Sequence, residues 1–348
     1  MEDGTDGDAP TPTRSGVVGI KDVARHAGVS VTTVSNVLNS TNRISSETRQ
    51  RVLASVDELG YVRNAAARQL RAGSSGTLGL IVPDASNPFY SAIARGAEDA
   101  ALERGGSVIV GNSHEDVERE SAYVNLFEQQ RVRGVLVAPV ADAAARVQSL
   151  VRRGLTTVVV GRAPRPAPCS SVSIDNVSGG YLAARHLLDT GRRRIAFVGP
   201  PAVPGVGDRL AGTRMAMTDA AAGEPEVLEP HGLDVAAGRE LGAALIDRGL
   251  DRLPDGVFCA NDLLAIGMLH AFVVSRRLHV PDDVALIGYD DVDFAASAIV
   301  PLSSVRQPAE LIGRTAVELL EREVGDASTQ HRHVLFAPEL VVRDSTSA

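Results

Sequence analysis

The stretch GVSVTTVSNVLN, Gly28 to Asn39, decides how the first quarter of the chain is read. Val34, Val37 and Leu38 recur at helical spacing and mark a face that favours burial. Val31, Thr32, Ser35 and Asn36 fall together on the other side, and none of them carries a charge. Small hydroxyls, an amide and methyl groups on an outer helix face suit contact with a patterned surface better than nonspecific adhesion, which charge would supply.

The flanks extend this helix into a unit. Upstream, IKDVARHAG places Ile20, Val23, Ala24 and Ala27 on one apolar stripe, and Gly28 stops that helix. Ser30 then caps the quoted helix. Downstream, SSETRQRVLASVDELGY predicts a third helix, capped at Ser45 or Ser46, with Val52, Val56 and Leu59 inward. Two short helices joined by a tight glycine turn, with a third packed behind, predict a helix-turn-helix head over 19–62. The second helix of such a head fits the DNA major groove, where Asn bonds adenine and the methyls of Val and Thr meet that of thymine. Charge agrees with this reading. The whole chain carries −8, yet residues 19–72 hold eight Lys/Arg against four acids.

Residues 1–18 are acidic, lack an apolar pattern and read as a disordered tail without a signal-peptide core. No run of about 18 apolar residues is present, so the expectation is a soluble, cytoplasmic protein with no membrane partner. The two cysteines, Cys169 and Cys259, do not form a disulfide framework, and Cys259 in GVFCAN reads as a small core residue.

From Thr77 the texture becomes β-branched runs separated by amphipathic helices: TLGLIVP, SVIVGN, GVLVAP and TTVVVG, then RIAFVGP, VLEPHG, GVFCAN and VALIGYD. Spacings near thirty residues predict parallel sheets with right-handed crossovers. Eight strands fit either two open α/β lobes or one closed barrel, and the Pro- and Arg-rich join GRAPRPAPCSS at the midpoint favours lobes. The tail HVLFAPELVVRD adds a final strand pair. The expected fold is therefore α/β: an all-α head followed by two Rossmann-like lobes of open parallel sheet. The body, 77–348, divides into 77–173 plus 305–327 and 174–304 plus 328–345.

Several motifs in order, GIKDVARHAGVSVTTVSNVLN, GYVRNAAARQLRAG, SNPFY, DRLAG, CANDLLAIG, VPDDVALIGYDD and APELVVRDS, resemble the lactose/galactose repressor family over residues 18–345. The resemblance implies a regulator, most often a repressor. Its partners are a palindromic DNA operator, a second copy in a homodimer (a tetramer being possible), and a small effector, a sugar or sugar derivative, held between lobes like those of periplasmic binding proteins. It places Val31, Thr32 and Asn36 at base-reading positions and Ser30, Thr33 and Ser35 at phosphates. Asn36 departs from the arginine that many relatives carry there, so the operator base facing it differs.

Residues 63–76 form the expected hinge. Asn64 caps AAARQLRA and Gly73 stops it, and a lone helix this short is marginal. Pairing with a second copy over DNA would order it. The resemblance puts Leu70 in the minor groove as an apolar wedge, with Ala67 beside it. Whether the effector releases DNA or promotes binding is left open.

Ligands of open α/β lobes bind beyond the carboxyl ends of the strands. Asp290, Asn261 and Arg209 fall there, and together they offer acceptors and forked donors. The resemblance assigns all three to the effector and adds Gln307. Phe89 either stacks on the ligand or belongs to the core. Arg162 follows Gly161 where many relatives place a carboxylate. It either enters the cleft and favours an acidic ligand, or faces solvent. Asp175 and Asn176 are weaker candidates.

Two rivals use the same features. An enzyme would employ Asp290 and Asp291 as paired carboxylates, but neighbours in sequence point apart and the eight histidines show no ligand spacing. No catalytic residue, cofactor or metal ion enters the reading. A solute-binding protein of a transport system would share the lobes but lack the basic head. A purine- or nucleoside-responsive regulator is the nearer alternative.

Overall fold

Gly28 builds the turn between the first two helices. Helix α1 (Ile20–His26) ends with Gly28 at φ +63°, where the Gly28 N–H reaches Arg25 O and the Val29 N–H reaches Ala24 O at 3.0 Å. This pair of bonds closes a Schellman motif, and a left-handed residue is what it requires. Helix α2 (Val31–Leu38) starts where Ser30 Oγ accepts from the Thr33 N–H at 3.0 Å. Ser45 caps α3 (Ser46–Glu58), which ends in a second motif of the same kind at Gly60. Val23, Val34 and Val52 close the three-helix core, and His26 Nδ1 lies 3.0 Å from the buried Ser55 hydroxyl, tying α1 to α3.

The computed structural model describes residues 18–38, 44–61, 76–139, 144–162, 168–324 and 329–347. The chain separates into two units between residues 73 and 74. The expected tail to residue 17, and Asn64, Ala67 and Leu70 with the hinge helix drawn around them, lie outside the described residues.

The larger unit holds two open six-stranded sheets rather than a barrel. The first runs β11-β5-β4-β3-β1-β2, where β1 is Thr77–Val82, β2 Ser107–Asn112, β3 Val135–Val137, β4 Thr157–Val160, β5 Ser170–Ile174 and β11 His333–Phe336. The second runs β12-β10-β9-β8-β6-β7, with β6 Ile195–Val198, β7 Glu226–Leu228, β8 Gly256–Cys259, β9 Ala285–Asp290, β10 Ser303–Arg306 and β12 Glu339–Val341. All pairings are parallel except β10 with β12. Helices on both faces bury central strands such as β3, β8 and β9 completely, which explains their unbroken apolar runs.

Three expectations change. HVLFAPELVVRD is not a strand pair: β11 joins the first sheet beside β5, and β12 joins the second beside β10. The third crossover therefore lies between residues 336 and 339, so 329–336 belongs with the first lobe instead of the second. β10 runs to Arg306 in the second sheet, past the boundary expected at 304. Finally, GRAPRPAPCSS does not join the lobes: it falls between β4 and β5 of the first sheet, and β5 occupies its closing serines.

In the second lobe, α7 (Asn176–Asp189) and α8 (Pro204–Asp219) cross closely because Gly180 and Gly212 face the partner backbone. A Cβ at Gly180 would run into the Arg209 carbonyl, and one at Gly212 into that of Val177. This close approach positions Arg209.

Candidate functional site

In the head, the uncharged side of α2 is outward. Val31 is 41% exposed, Ser30, Thr32 and Asn36 are exposed, and Thr33 and Ser35 are half-buried. The Ser30 and Thr33 hydroxyls are 2.8 Å apart at the helix start, and the first turn holds no acid. A helix N-terminus of this kind presents N–H groups and a positive dipole end to phosphate.

The body holds a cavity of about 650 Å³ between the carboxyl ends of the two sheets. Phe89, Arg209, Asn261, Asp290 and Gln307 all line it. Asp290 ends β9 and takes φ +111°, which turns its carboxylate inward; it is 7% exposed. Gln307 Nε2 donates to its Oδ1 at 2.6 Å, and the Asn87 side chain adds a hydrogen bond from the first lobe. Burial pushes the carboxyl up to about 6, against the pull of Arg209, Gln307 and Asn87.

Arg209 is held from three sides. Its Nε donates to Asn176 Oδ1 at 2.9 Å, one Nη donates to the Ala260 carbonyl, and the guanidinium lies 3.7 Å over the Tyr289 ring. Asn261 caps α10 (Asp262–Ser275), accepting from the Leu264 N–H at 2.9 Å and donating to Leu233 O at 2.8 Å. Phe89 lies in the first turn of α4 (Pro88–Leu102), edge-on to Tyr90 with centroids 5.2 Å apart, and is half-buried at the cavity.

Arg162 stands at the cavity and stays largely open to solvent, so both expected alternatives hold in part. It lines the cavity, but its guanidinium crosses from the first lobe to Asp208 on α8 at 2.8 Å. Asn176 also lines the cavity, whereas Asp175 caps α7 through the Ser178 N–H. Asp291 points away from Asp290 and pairs with Arg306 and Arg343, each at 2.7 Å, so the two carboxylates do not form a dyad.

Sequence reasoning missed Asn87, Tyr90, Glu115 and Asp234, which complete the wall. Asn87 was visible in SNPFY as a residue before a helix-starting proline, and its Oδ1 does cap α4. Glu115 follows β2 at a strand carboxyl end, the same signal that located Asp290. Among the described residues no His, Cys, Asp and Glu group is arranged to hold a metal ion, and no helix is long and apolar enough to cross a membrane.

Residues 19–64 match the model of the bacterial regulatory proteins of the lacI family, and residues 184–346 match the periplasmic binding protein-like domain. The chain is 33% identical to the HTH-type transcriptional regulator DegA of Bacillus subtilis (strain 168), over 94% of this chain and 98% of that one. It is 34% identical to the HTH-type transcriptional repressor PurR of Vibrio campbellii, with the same coverage. Among solved structures, the lac repressor dimer bound to operator and the anti-inducer ONPF superposes with a TM-score of 0.82 at 28% identity, covering 95% of this chain and 99% of that one. A complex of the transcriptional regulator CelR with cellobiose gives 0.71 at 32% identity, covering 94% and 99%.

Proposed function

The chain belongs to the lacI family of bacterial regulatory proteins, and on that premise we propose that this DNA-binding, effector-controlled transcription regulator is a homodimeric repressor of a palindromic operator. A sugar or sugar derivative in the inter-lobe cavity governs its hold on DNA.

One observation carries the reading: a hydrogen-bonded set drawn from both lobes, Asn87, Asp290 and Gln307, sits at the wall of the cavity. A ligand that competes for those groups changes lobe closure, and closure is the available lever on paired heads. Coupling of this kind is typically worth about 1–3 kcal/mol. The carboxylate, amides and guanidinium suit the alternating donors and acceptors of a polyol. Phe294 and Ile299, 59% and 74% exposed in and after α11 (Asp293–Ala296), supply apolar surface for a second copy. In the head, Val31, Thr32 and Asn36 read bases while Ser30, Thr33 and Ser35 hold phosphates.

The test is selection of duplexes from a random pool by the purified full chain. The expected product is two inverted half-sites whose binding weakens steeply with salt, and Asn36→Arg is expected to change the preferred base at one position per half-site. Enrichment of no shared sequence, or a single unpaired half-site, would refute the dimeric reading.

A further inference from the structure

Two consecutive residues at the end of β9 have left-handed backbone, Asp290 at φ +111° and Asp291 at φ +55°. Neither is glycine, and side chains disfavour this region, so the surrounding structure must hold the turn in place. It is this turn that sends the Asp290 carboxylate into the cavity.

The backbone of the turn is held by one buried carboxylate. The Val292 N–H donates to Asp262 Oδ2 at 2.8 Å, the Asp291 N–H donates to Ser304 Oγ at 3.1 Å, and the Ser304 hydroxyl donates to Asp262 Oδ1 at 2.6 Å. Both N–H groups thus lead to Asp262, one directly and one through a hydroxyl. Asp262 and Ser304 are wholly buried, so solvent cannot replace either acceptor. Gly288 in β9 leaves the space, because a Cβ there would run into Asp262 Oδ1. The anchor is rigid: α9 (Val235–Asp247) and α10 cross so closely that a Cβ at Gly238 would meet the Leu264 carbonyl and one at Gly267 that of Val235.

A helix-start role does not account for Asp262. Asn261 already caps α10, and both Asp262 oxygens are spent on the turn and on β10. Its charged neighbours are Asp290 and Asp291; they and burial push its carboxyl well above the ordinary range, against the pull of Ser304 and the Val292 N–H. Arg306 and Arg343 grip the Asp291 side chain, which tethers the turn without satisfying its N–H groups.

We propose that Asp262 is a positioning residue for the cavity: through Ser304 and the Val292 N–H it holds Asp290 and Asp291 left-handed, and so keeps the Asp290 carboxylate where Gln307 and Asn87 meet it. The proposal rests on the cavity being the effector site.

The test needs neither ligand nor DNA. Urea unfolding of the full chain, from about pH 4 to 7, gives the stability gained by Asp290→Asn in four backgrounds: parent, Asp262→Asn, Ser304→Ala and Gly288→Ala. The rise of that gain with pH reports how firmly the Asp290 carboxylate is held inside, and a merely structural role for Asp262 leaves it unmoved. In the parent the gain should grow about a hundredfold in the folding equilibrium, and in each variant about tenfold or less. Ser304→Ala and Gly288→Ala change no charge, so a rise that stays near the parent's in either overturns the proposal, even where overall stability drops. A fall confined to Asp262→Asn shows an effect of charge alone and overturns it as well, as does a flat profile in the parent. Should Gly288→Ala fail to fold, Ser304→Ala decides. Duplex selection stands apart from these measurements: loss of paired half-sites would defeat the dimeric regulator and leave the Asp262 assignment standing, whereas an undiminished pH response would do the reverse.

Discussion

The two lobes share a topology but bring different kinds of side chain to the cavity. Those of the second lobe are fixed before any ligand arrives: Arg209 is held from three sides, Asn261 is used at both ends of its amide, and Asp290 is gripped by Gln307. Behind them, fully buried Asp262 accepts from Ser304 Oγ at 2.6 Å and the Val292 N–H at 2.8 Å, locking α10 to the strands β9 and β10. The first lobe offers Arg162, 61% exposed with its ion-pair partner on the second lobe, and Glu115, whose carboxylate has no hydrogen-bonding partner among the described residues. The second lobe is thus a preformed receptor, whereas these first-lobe groups depend on what lies opposite. Preorganisation lowers the cost of ordering groups on binding, but it requires burying charge in advance.

That cost should be measurable at Asp290, where the largest effect is expected. Its carboxyl stands near 6 in the folded chain against an ordinary 3.8. Below about pH 4 both states are protonated. Between about pH 4 and 6 only the unfolded chain releases the proton, so this group's contribution to stability falls as pH rises and stays low above that window. The difference amounts to up to about 3 kcal/mol at 1.36 kcal/mol per unit. Asp290→Asn should therefore be more stable than the parent at neutral pH, with the advantage vanishing at low pH, while losing its response to effector. Denaturant midpoints of both chains over a pH series check this, and a difference that does not change with pH would remove the idea that function holds a destabilising charge in the second lobe.

The same contrast explains what could be read from sequence. VALIGYD and GVFCAN announce second-lobe strands because both of their faces are apolar and buried, and extrapolation to the strand ends then locates Asp290 and Asn261. β5 and β10 were hidden because each opens on two buried serines. Ser303 and Ser304 are wholly inside, satisfied by Arg343 O and by Asp262, so a polar run conceals a core strand. The ion pair of Arg162 was hidden for a related reason: its partner Asp208 lies 46 residues away, and no local pattern links the two. Asn87 read as an ordinary cap because it is one, and only the fold shows that the same side chain also meets Asp290.

A smaller loss is expected at the helix crossing that aims Arg209. Gly212→Val would drive a side chain into the Val177 carbonyl and the Tyr181 N–H. Overpacking of this kind costs about 1–3 kcal/mol. Because Arg209 lies one turn before Gly212, effector binding should weaken along with the melting temperature. Leu311→Ala, a truncation of an exposed residue on α12 (Ala309–Glu323), is the control and should leave both nearly unchanged. If Gly212→Val lowers stability but effector affinity holds, the close helix approach is a packing device alone.

The smallest effect is expected where the lobes meet through Arg162 and Asp208. With the arginine mostly in water, the pair gains little Coulomb energy and is screened by salt, so Arg162→Met should cost no more than about 1 kcal/mol. Its signature lies in the sign of the functional change. The bond joins the end of β4 in the first lobe to α8 of the second without passing through the preformed receptor, so it is expected to hold the lobes together equally with and without ligand. Removing it should speed effector entry and exit together, leaving affinity within about threefold, since both states lose the same contact. Stopped-flow rates at low and high salt check this, and high salt should make the parent behave like the variant. A variant that changes affinity while its rates of entry match the parent's would mean that Arg162 contacts the effector directly, which would also undo the contrast between the lobes.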